Sequence, residues 1–190
     1  MATIVFLHVG NDTALPTILA HSIRAQNPNA KIIQCTDPDT PAVRGVDEVR
    51  RMDGDTGRLM VYRLECFSRL GLTEPAMYLD TDMICVAPLD PETFLDGLDA
   101  AVCERRYEAG EMFRIDHPHP DLTRRGWTFS EHAGKTLFET FPYVACATIT
   151  RDHRFWDDCL ETLLKLDEKY HVWYGDQEAI RRIVDGGGHK

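Results

Sequence analysis

Asp80 and Asp82, separated by Thr81 and placed directly after the apolar run Ala76-Met77-Tyr78-Leu79, form the sharpest chemical feature of this chain. Residues two apart on an extended segment point to the same side, so both carboxylates can face one ion. Like charges this close repel unless a cation, a proton or a positive side chain offsets them. Hard oxygen ligands suit magnesium or manganese, which bind diphosphates well. The plain alternative is two acids in a turn, capping backbone amides. The buried strand in front favours the ion, because open α/β sheets bind ligands at the carboxyl ends of their strands.

Other chemistry-bearing residues are less specific. His117 and His119 lie two apart in a proline-rich loop with Asp116 and Asp121, where they can share a metal or simply be solvated surface histidines. Six cysteines, at positions 35, 66, 85, 103, 146 and 159, include no Cys-x-x-Cys pair and mostly sit in apolar surroundings. They are expected to be buried and reduced rather than bridged.

The elements that must position these groups alternate between strand and helix. Thr3 to Val9 is β-branched and aromatic, the pattern of a buried strand. Asp12 or Thr13 can cap a helix that takes Pro16 near its first turn, with Leu15, Ile18, Leu19, Ser22 and Ile23 on the stripe of an amphipathic helix. Asn27-Pro28-Asn29 ends it, and Lys31 to Thr36 is a second strand. A short third strand is expected within Val46 to Met52, then a helix from about Arg58 to Leu70, then the strand Ala76 to Leu79 that delivers Asp80. Met83 to Val86 continues as extended chain, and Ala100 to Cys103 is another short strand. From Glu104 to Thr140 the periodicity dissolves, so 104–140 is expected to be a lid, a binding loop or a small insertion. Tyr143 to Thr150 is again a strand. A helix marked by Phe155, Trp156, Cys159, Leu160, Leu163 and Leu164 runs to about Tyr170, Val172 to Tyr174 is extended, and a final helix spans Asp176 to Val184. The glycine-rich tail 186–190 is expected to be flexible. This alternation defines an α/β class.

Composition bounds the function. The 190 residues suit one domain, and 43% hydrophobic with 27% charged residues is a globular balance. Lys and Arg total 21 against 31 Asp and Glu, a net charge of −10, which is the reverse of a chain built to grip nucleic-acid backbones. It fits an acidic enzyme that recruits divalent cations. No apolar run approaches the ~20 residues of a membrane span. Met1 to Gly10 lacks the basic flank and cleavage site of a signal peptide, so the expected compartment is the cytoplasm.

Taken in order, Tyr62-Arg63, Ala76-Met77-Tyr78-Leu79-Asp80-Thr81-Asp82-Met83-Ile84 and Tyr174-Gly175-Asp176-Gln177-Glu178-Ala179 resemble the glycosyltransferases of the GT-A fold. The match is with glycosyltransferase family 8, retaining galactosyl- and glucosyltransferases that use nucleotide sugars and manganese. Ile4-Val5-Phe6, Asn11 and Ser22-Ile23 extend the resemblance to the start of the chain, and it is weakest across 104–140. The resemblance implies a mostly parallel, mixed central sheet flanked by helices, forming one domain over residues 1–190. It implies Mn2+ or Mg2+ on Asp80 and Asp82, donor contacts from Asn11 and Arg63, and Asp176 and Gln177 near the reacting carbon. Segment 104–140 would face the acceptor, with Trp127, His117 and His119 on that side and Trp127 available to stack on a sugar ring.

Three features depart from the family pattern. Val9 and Gly10 stand where an acidic residue is usual after the first strand. Tyr143-Val144-Ala145-Cys146-Ala147 replaces an Asn-x-Gly strand motif. The family's further metal-binding histidine lies beyond the Asp-Gln helix, where this chain has only His189 in a glycine-rich setting. The implied reaction transfers a hexose from a nucleotide-diphosphate sugar, expected to be UDP-linked, to a carbohydrate or glycoconjugate hydroxyl. The alternatives are a non-catalytic GT-A-like nucleotide- or sugar-binding module and a haloacid-dehalogenase-type phosphatase. In the phosphatase reading, Asp80 would attack phosphorus, Asp82 would shuttle a proton, and Asp157-Asp158 would be the later acidic pair.

Overall fold

Strand-forming residues with both faces apolar build the centre of the molecule, seen in a computed structural model that describes residues 2–187 and 189. Six strands, β1 (Thr3–Leu7), β2 (Lys31–Thr36), β3 (Glu48–Arg51), β4 (Ala76–Leu79), β5 (Ala100–Glu104) and β6 (Tyr143–Thr150), form one sheet in the order β3-β2-β1-β4-β6-β5. β3, β2, β1 and β4 pair in parallel, and β6 runs antiparallel between β4 and β5. The sheet is thus mixed and mostly parallel, as expected. The order reverses at β1, whose neighbours β2 and β4 follow it on opposite sides. In open α/β sheets that reversal opens a crevice at the strands' carboxyl ends.

Alternation along each strand sends side chains to two cores. Ile4, Phe6, Ile32, Met77 and Leu79 face helix α1 (Ala14–Gln26) and the short α3 (Pro91–Leu95). Val5, Ile33, Cys35, Ala76 and Tyr78 face the other side, where α2 (Leu59–Arg69), α6 (Arg154–Leu164) and α8 (Gly175–Asp185) pack. Phe67, Tyr78 and Trp156 meet there in an aromatic triad with centroids 4.8–5.0 Å apart, seating α2 and α6 on β4. That seating fixes the height of Arg63 on α2 relative to Asp80 at the end of β4.

Segment 104–140 is more than a loop. It contains α4 (Pro120–Arg125), α5 (Leu137–Thr140) with a Thr136–Glu139 capping box, and an isolated bridge between Met112 and Thr136. Phe113, Phe129 and Phe141 are buried and pack against Tyr174, tilted, edge-on and stacked respectively. Its apolar residues are too widely spaced for periodicity to reveal, yet they complete the core beneath α8.

Further expectations are corrected. The helix expected to reach Tyr170 stops at Leu164. The chain then turns at Asp167 into α7 (Glu168–Val172), which places Tyr170 on Phe129 and lets its hydroxyl bond Glu131 and His132. Only Trp173 of the expected extended stretch is extended, because Val172 ends α7 and Tyr174 is left-handed at φ 62°. The cysteines are all unbridged, but only Cys35, Cys66 and Cys159 are buried, and Cys103 is exposed. Of the tail expected to be flexible, Gly186 and Gly187 form a turn and His189 meets Asp158 at 2.8 Å; Gly188 and Lys190 lie outside the described residues. Among the described residues, no helix is long and apolar enough to cross a membrane.

Candidate active site

The sheet's reversal point holds a cleft of about 420 Å³. Leu7, His8 and Val9 at the end of β1 form one side and Asp80, Thr81 and Asp82 at the end of β4 another, with Arg63 and Trp173 also in the lining. Arg63 organises it. Its Nη2 contacts Asp80 Oδ1 at 2.6 Å and donates to the Ala145 carbonyl at 3.0 Å, while Nη1 donates to Asp176 Oδ2 at 3.1 Å. Only 12% of the Arg63 side chain is exposed, against 35% for Asp80 and 5% for Asp176. A solvated helix charge is therefore excluded. Arg63 joins the Asp-x-Asp turn to the first turn of α8, 113 residues further along the chain.

Burial pushes the Asp80 carboxyl above its ordinary range; Arg63 pulls it back down, while Asp176 and Asp82 push it up again. This is the local excess of negative charge that a cation relieves. Arg63 takes only one oxygen of Asp80, and Asp82 is exposed and forms no ion pair with any described residue. Among the described residues no three His, Cys, Asp or Glu side chains converge as a metal-holding group. Two carboxylates nevertheless suit Mg2+ or Mn2+ beside a diphosphate, since such ions are commonly held by one or two carboxylates with substrate phosphates completing the shell.

Asp176 is held from both sides. Its Oδ1 accepts from the Gln177 amide at 2.8 Å. Gly175, just before it, has no room for a side chain, since a Cβ there would stand 2.0 Å from the Tyr170 carbonyl oxygen. That close approach lets α8 begin directly on α7. Gln177 turns the other way, its Oε1 accepting from Arg105 Nη2 at 2.6 Å, while Arg105 Nε donates to the Phe141 carbonyl.

Glu178 anchors the same turn, nearly buried at 3% side-chain exposure and bonded by Arg181 and Arg182. Burial alone would raise its pKa, but the arginine hydrogen bonds outweigh it and the net shift is downward. A carboxyl depressed on folding stabilises the fold above its unfolded pKa, and that stability is lost as pH falls through the folded value. Glu178→Gln is therefore expected to cost about 2 kcal/mol at neutral pH and to make the acid side of the stability curve shallower. Denaturant melts from neutral pH down to acid would show both.

His117 and His119 reach this cleft indirectly. Their rings lie 4.9 and 5.1 Å from Trp173, whose indole lines it. Each Nδ1 accepts a backbone amide, from His119 and Asp121 respectively. Asn11 is exposed on the loop after β1, outside the cleft lining; Gly10 before it, at φ +117°, turns the chain so that its amide bonds Thr40. Trp127 lies in a neighbouring groove under the Arg125 guanidinium. His189 sits against Phe155 and Asp158 on α6, at the end of the sheet opposite Asp80. Asp157 bonds Ser68 there, so Asp157 and Asp158 are too remote to serve Asp80 as the phosphatase reading requires.

Sequence reasoning missed three residues. His8 lines the cleft with its Nε2 buried and unpartnered among the described residues, and burial lowers its pKa from the ordinary imidazole value. Trp173 and Arg105 are the others. The position of Trp173, directly before Tyr174-Gly175-Asp176-Gln177, was the available signal. Arg105 carried none, because only the fold brings it to Gln177.

No protein-family model matches the chain, and no curated protein matches it in sequence. Solved structures do. The glycosyltransferase GlyE of Streptococcus pneumoniae TIGR4 superposes with a TM-score of 0.53 at 16% identity, covering 96% of this chain and 43% of that one. PaToxG glycosyltransferase superposes with a TM-score of 0.52 at 10% identity, covering 98% of this chain and 70% of that one. The galactosyltransferase LgtC, at 14% identity over 94% of this chain and 66% of its own, has a TM-score of 0.48, too loose to bear on the fold. The chain thus spans less than half of GlyE and about two-thirds of LgtC. The fold is the GT-A α/β arrangement.

Proposed function

We propose that this chain binds a nucleotide-diphosphate sugar, UDP-linked, with Mn2+ or Mg2+ and transfers its hexose with retention to a carbohydrate or glycoconjugate hydroxyl. The observation that carries the reading is the meeting of exposed Asp82, Arg63-held Asp80 and Arg63-bound Asp176 at the reversal point of a GT-A sheet. Asp80 and Asp82 would hold the cation, whose chemistry there is neutralisation of the departing diphosphate. Arg63 fixes the Asp80 carboxylate and so orients the pair. His8 lines the cleft beside them, and Trp173, backed by His117 and His119, walls the acceptor side. Positioning and electrostatics supply the rate, since the reaction needs no covalent work from the side walls.

Calorimetric titration of UDP, first with Mn2+ and then with EDTA, tests the donor site; absence of metal-dependent binding would overturn it. NMR of the product's anomeric carbon reads the stereochemistry, with inversion refuting the retaining mechanism.

In this reading Gln177, next to Asp176, would act near the reacting sugar once released from Arg105. Gln177→Ala is expected to lower turnover of the donor by about tenfold or more while leaving UDP affinity near wild type. A weakened UDP affinity at unchanged turnover would move Gln177 into the donor pocket. The bond from Arg105 to Gln177 favours one competing reading, a binding module without turnover. Metal-dependent UDP binding with no hydrolysis or transfer from UDP-glucose or UDP-galactose would select that reading.

A further inference from the structure

The β5–β6 ladder breaks beside the candidate active site. Its register runs regularly from Ala100↔Thr150 to Val102↔Thr148 and then jumps to Cys103↔Val144. A single step along β5, Val102 to Cys103, is thus matched by the whole stretch Thr148 to Val144 on β6. Ala145, Cys146 and Ala147 bulge there without partners on β5. Within the bulge the Cys146 thiol donates a hydrogen bond to Cys103 Sγ. Two cysteines far apart in sequence therefore meet side chain to side chain on neighbouring strands.

Access separates this pair from the other cysteines. Cys103 is exposed and Cys146 half-buried. With Val102 and Ala147, Cys103 also lines an apolar groove of about 420 Å³, so a small reagent can reach its sulfur. Cys35 and Cys66 also lie close enough to interact, but both are buried. Cys159 is buried too, and the Cys85 thiol donates to the Ala87 carbonyl at 3.1 Å.

The backbone around the pair leads into the active cleft. The Cys146 carbonyl accepts from the Asp80 amide at 2.9 Å, and the Ala145 carbonyl accepts from Arg63 Nη2 at 3.0 Å. Just beyond Cys103 on the chain, Arg105 holds Gln177. A covalent link brings two sulfurs closer than a hydrogen bond does. Closing it draws the β6 bulge toward β5 and pulls on the partners of Asp80 and Arg63.

We propose that Cys103 and Cys146 are a redox-active dithiol that a low-molecular-weight disulfide converts to an intrachain disulfide, loosening the donor cleft. Cys103, as its thiolate, attacks one sulfur of the small disulfide; that S–S bond breaks, and one thiolate leaves and takes up a proton. Cys146 then gives up its proton and attacks Cys103 Sγ, expelling the second thiolate, which is protonated in turn. Two protein thiols are oxidised, and one small disulfide is reduced to two thiols. The effect on donor binding rests on the glycosyl-transfer reading, whereas the bridge itself stands on the broken ladder.

Glutathione disulfide, added to the folded full chain, tests it. After unfolding and alkylation, mass spectrometry should find a Cys103–Cys146 bridge with the other four cysteines alkylated. Cys146→Ser should instead retain glutathione on Cys103, because the thiol that resolves the adduct is missing. A lasting glutathione adduct on wild-type Cys103, a bridge between any other pair, or full alkylation of every cysteine would overturn the dithiol. In the bridged protein, manganese-dependent UDP affinity should fall about tenfold and return on reduction. Unchanged UDP affinity after complete bridging would overturn the coupling to the cleft. A bridge that forms in a protein that never binds UDP would keep the dithiol and sink the transferase reading instead.

Discussion

Arg63→Leu is expected to lower stability by about 3 kcal/mol and to abolish metal-dependent donor binding. Removing one partner of a buried ion pair costs about 3–5 kcal/mol, because the other charge is left without compensation. Here the lower end applies, since Asp80 keeps 35% of its side chain exposed while Asp176 keeps only 5%. Leucine fits the helix and restores apolar contact with Phe67, over which the guanidinium now lies at 5.5 Å, so the loss reports the charges rather than a cavity. Adding Asp176→Asn to the variant should return part of the stability, because the stranded carboxylate is then gone. Denaturant melts of the four proteins of this cycle measure the coupling directly. A loss below about 1 kcal/mol would mean that the pair is solvated and weak, and the picture of Arg63 as the organiser of the cleft would fail.

Asp80→Asn/Asp82→Asn should have the opposite profile, with fold retained and function gone. Asp82 is exposed and unpaired among the described residues, and asparagine at position 80 can still accept from Arg63. Losing both charges should weaken manganese-dependent UDP binding by at least about 30-fold, the equivalent of about 2 kcal/mol, with unfolding midpoints near wild type. Calorimetry beside thermal melts separates the two effects. Normal manganese-dependent binding in the double variant would remove Asp80 and Asp82 from the metal site. A collapsed melting curve would instead make the pair a structural cap.

Much of this architecture is written locally. Lys31–Thr36, Ala76–Leu79 and Tyr143–Thr150 are strands with the bounds that their apolar, β-branched runs imply. Helices α2 and α6 follow 3.6-residue stripes. The helix after β6 shows where locality fails. Its stripe ends at Leu164, and only packing of Tyr170 on Phe129, from a segment without periodicity, explains why a new helix starts at Glu168. Segment 104–140 reads as a loop because its anchors, Phe113 and Phe129, are too sparse to declare a face.

By itself the sequence determined the α/β alternation, the two carboxylates at the end of a buried strand, and the resemblance from which the site residues were chosen, because each depends on neighbours a few positions apart. The tertiary structure decided which of those residues act together. It joined Arg63 to Asp80 and Asp176, brought His8 and Trp173 to the cleft, turned Gln177 toward Arg105, and set Trp127 in a groove of its own. Those pairings span up to 113 residues of chain and arise only when helices seat on the sheet through the Phe67–Tyr78–Trp156 contacts. Periodicity specifies which face of an element is buried, whereas the partner across that face is set by packing the whole chain at once.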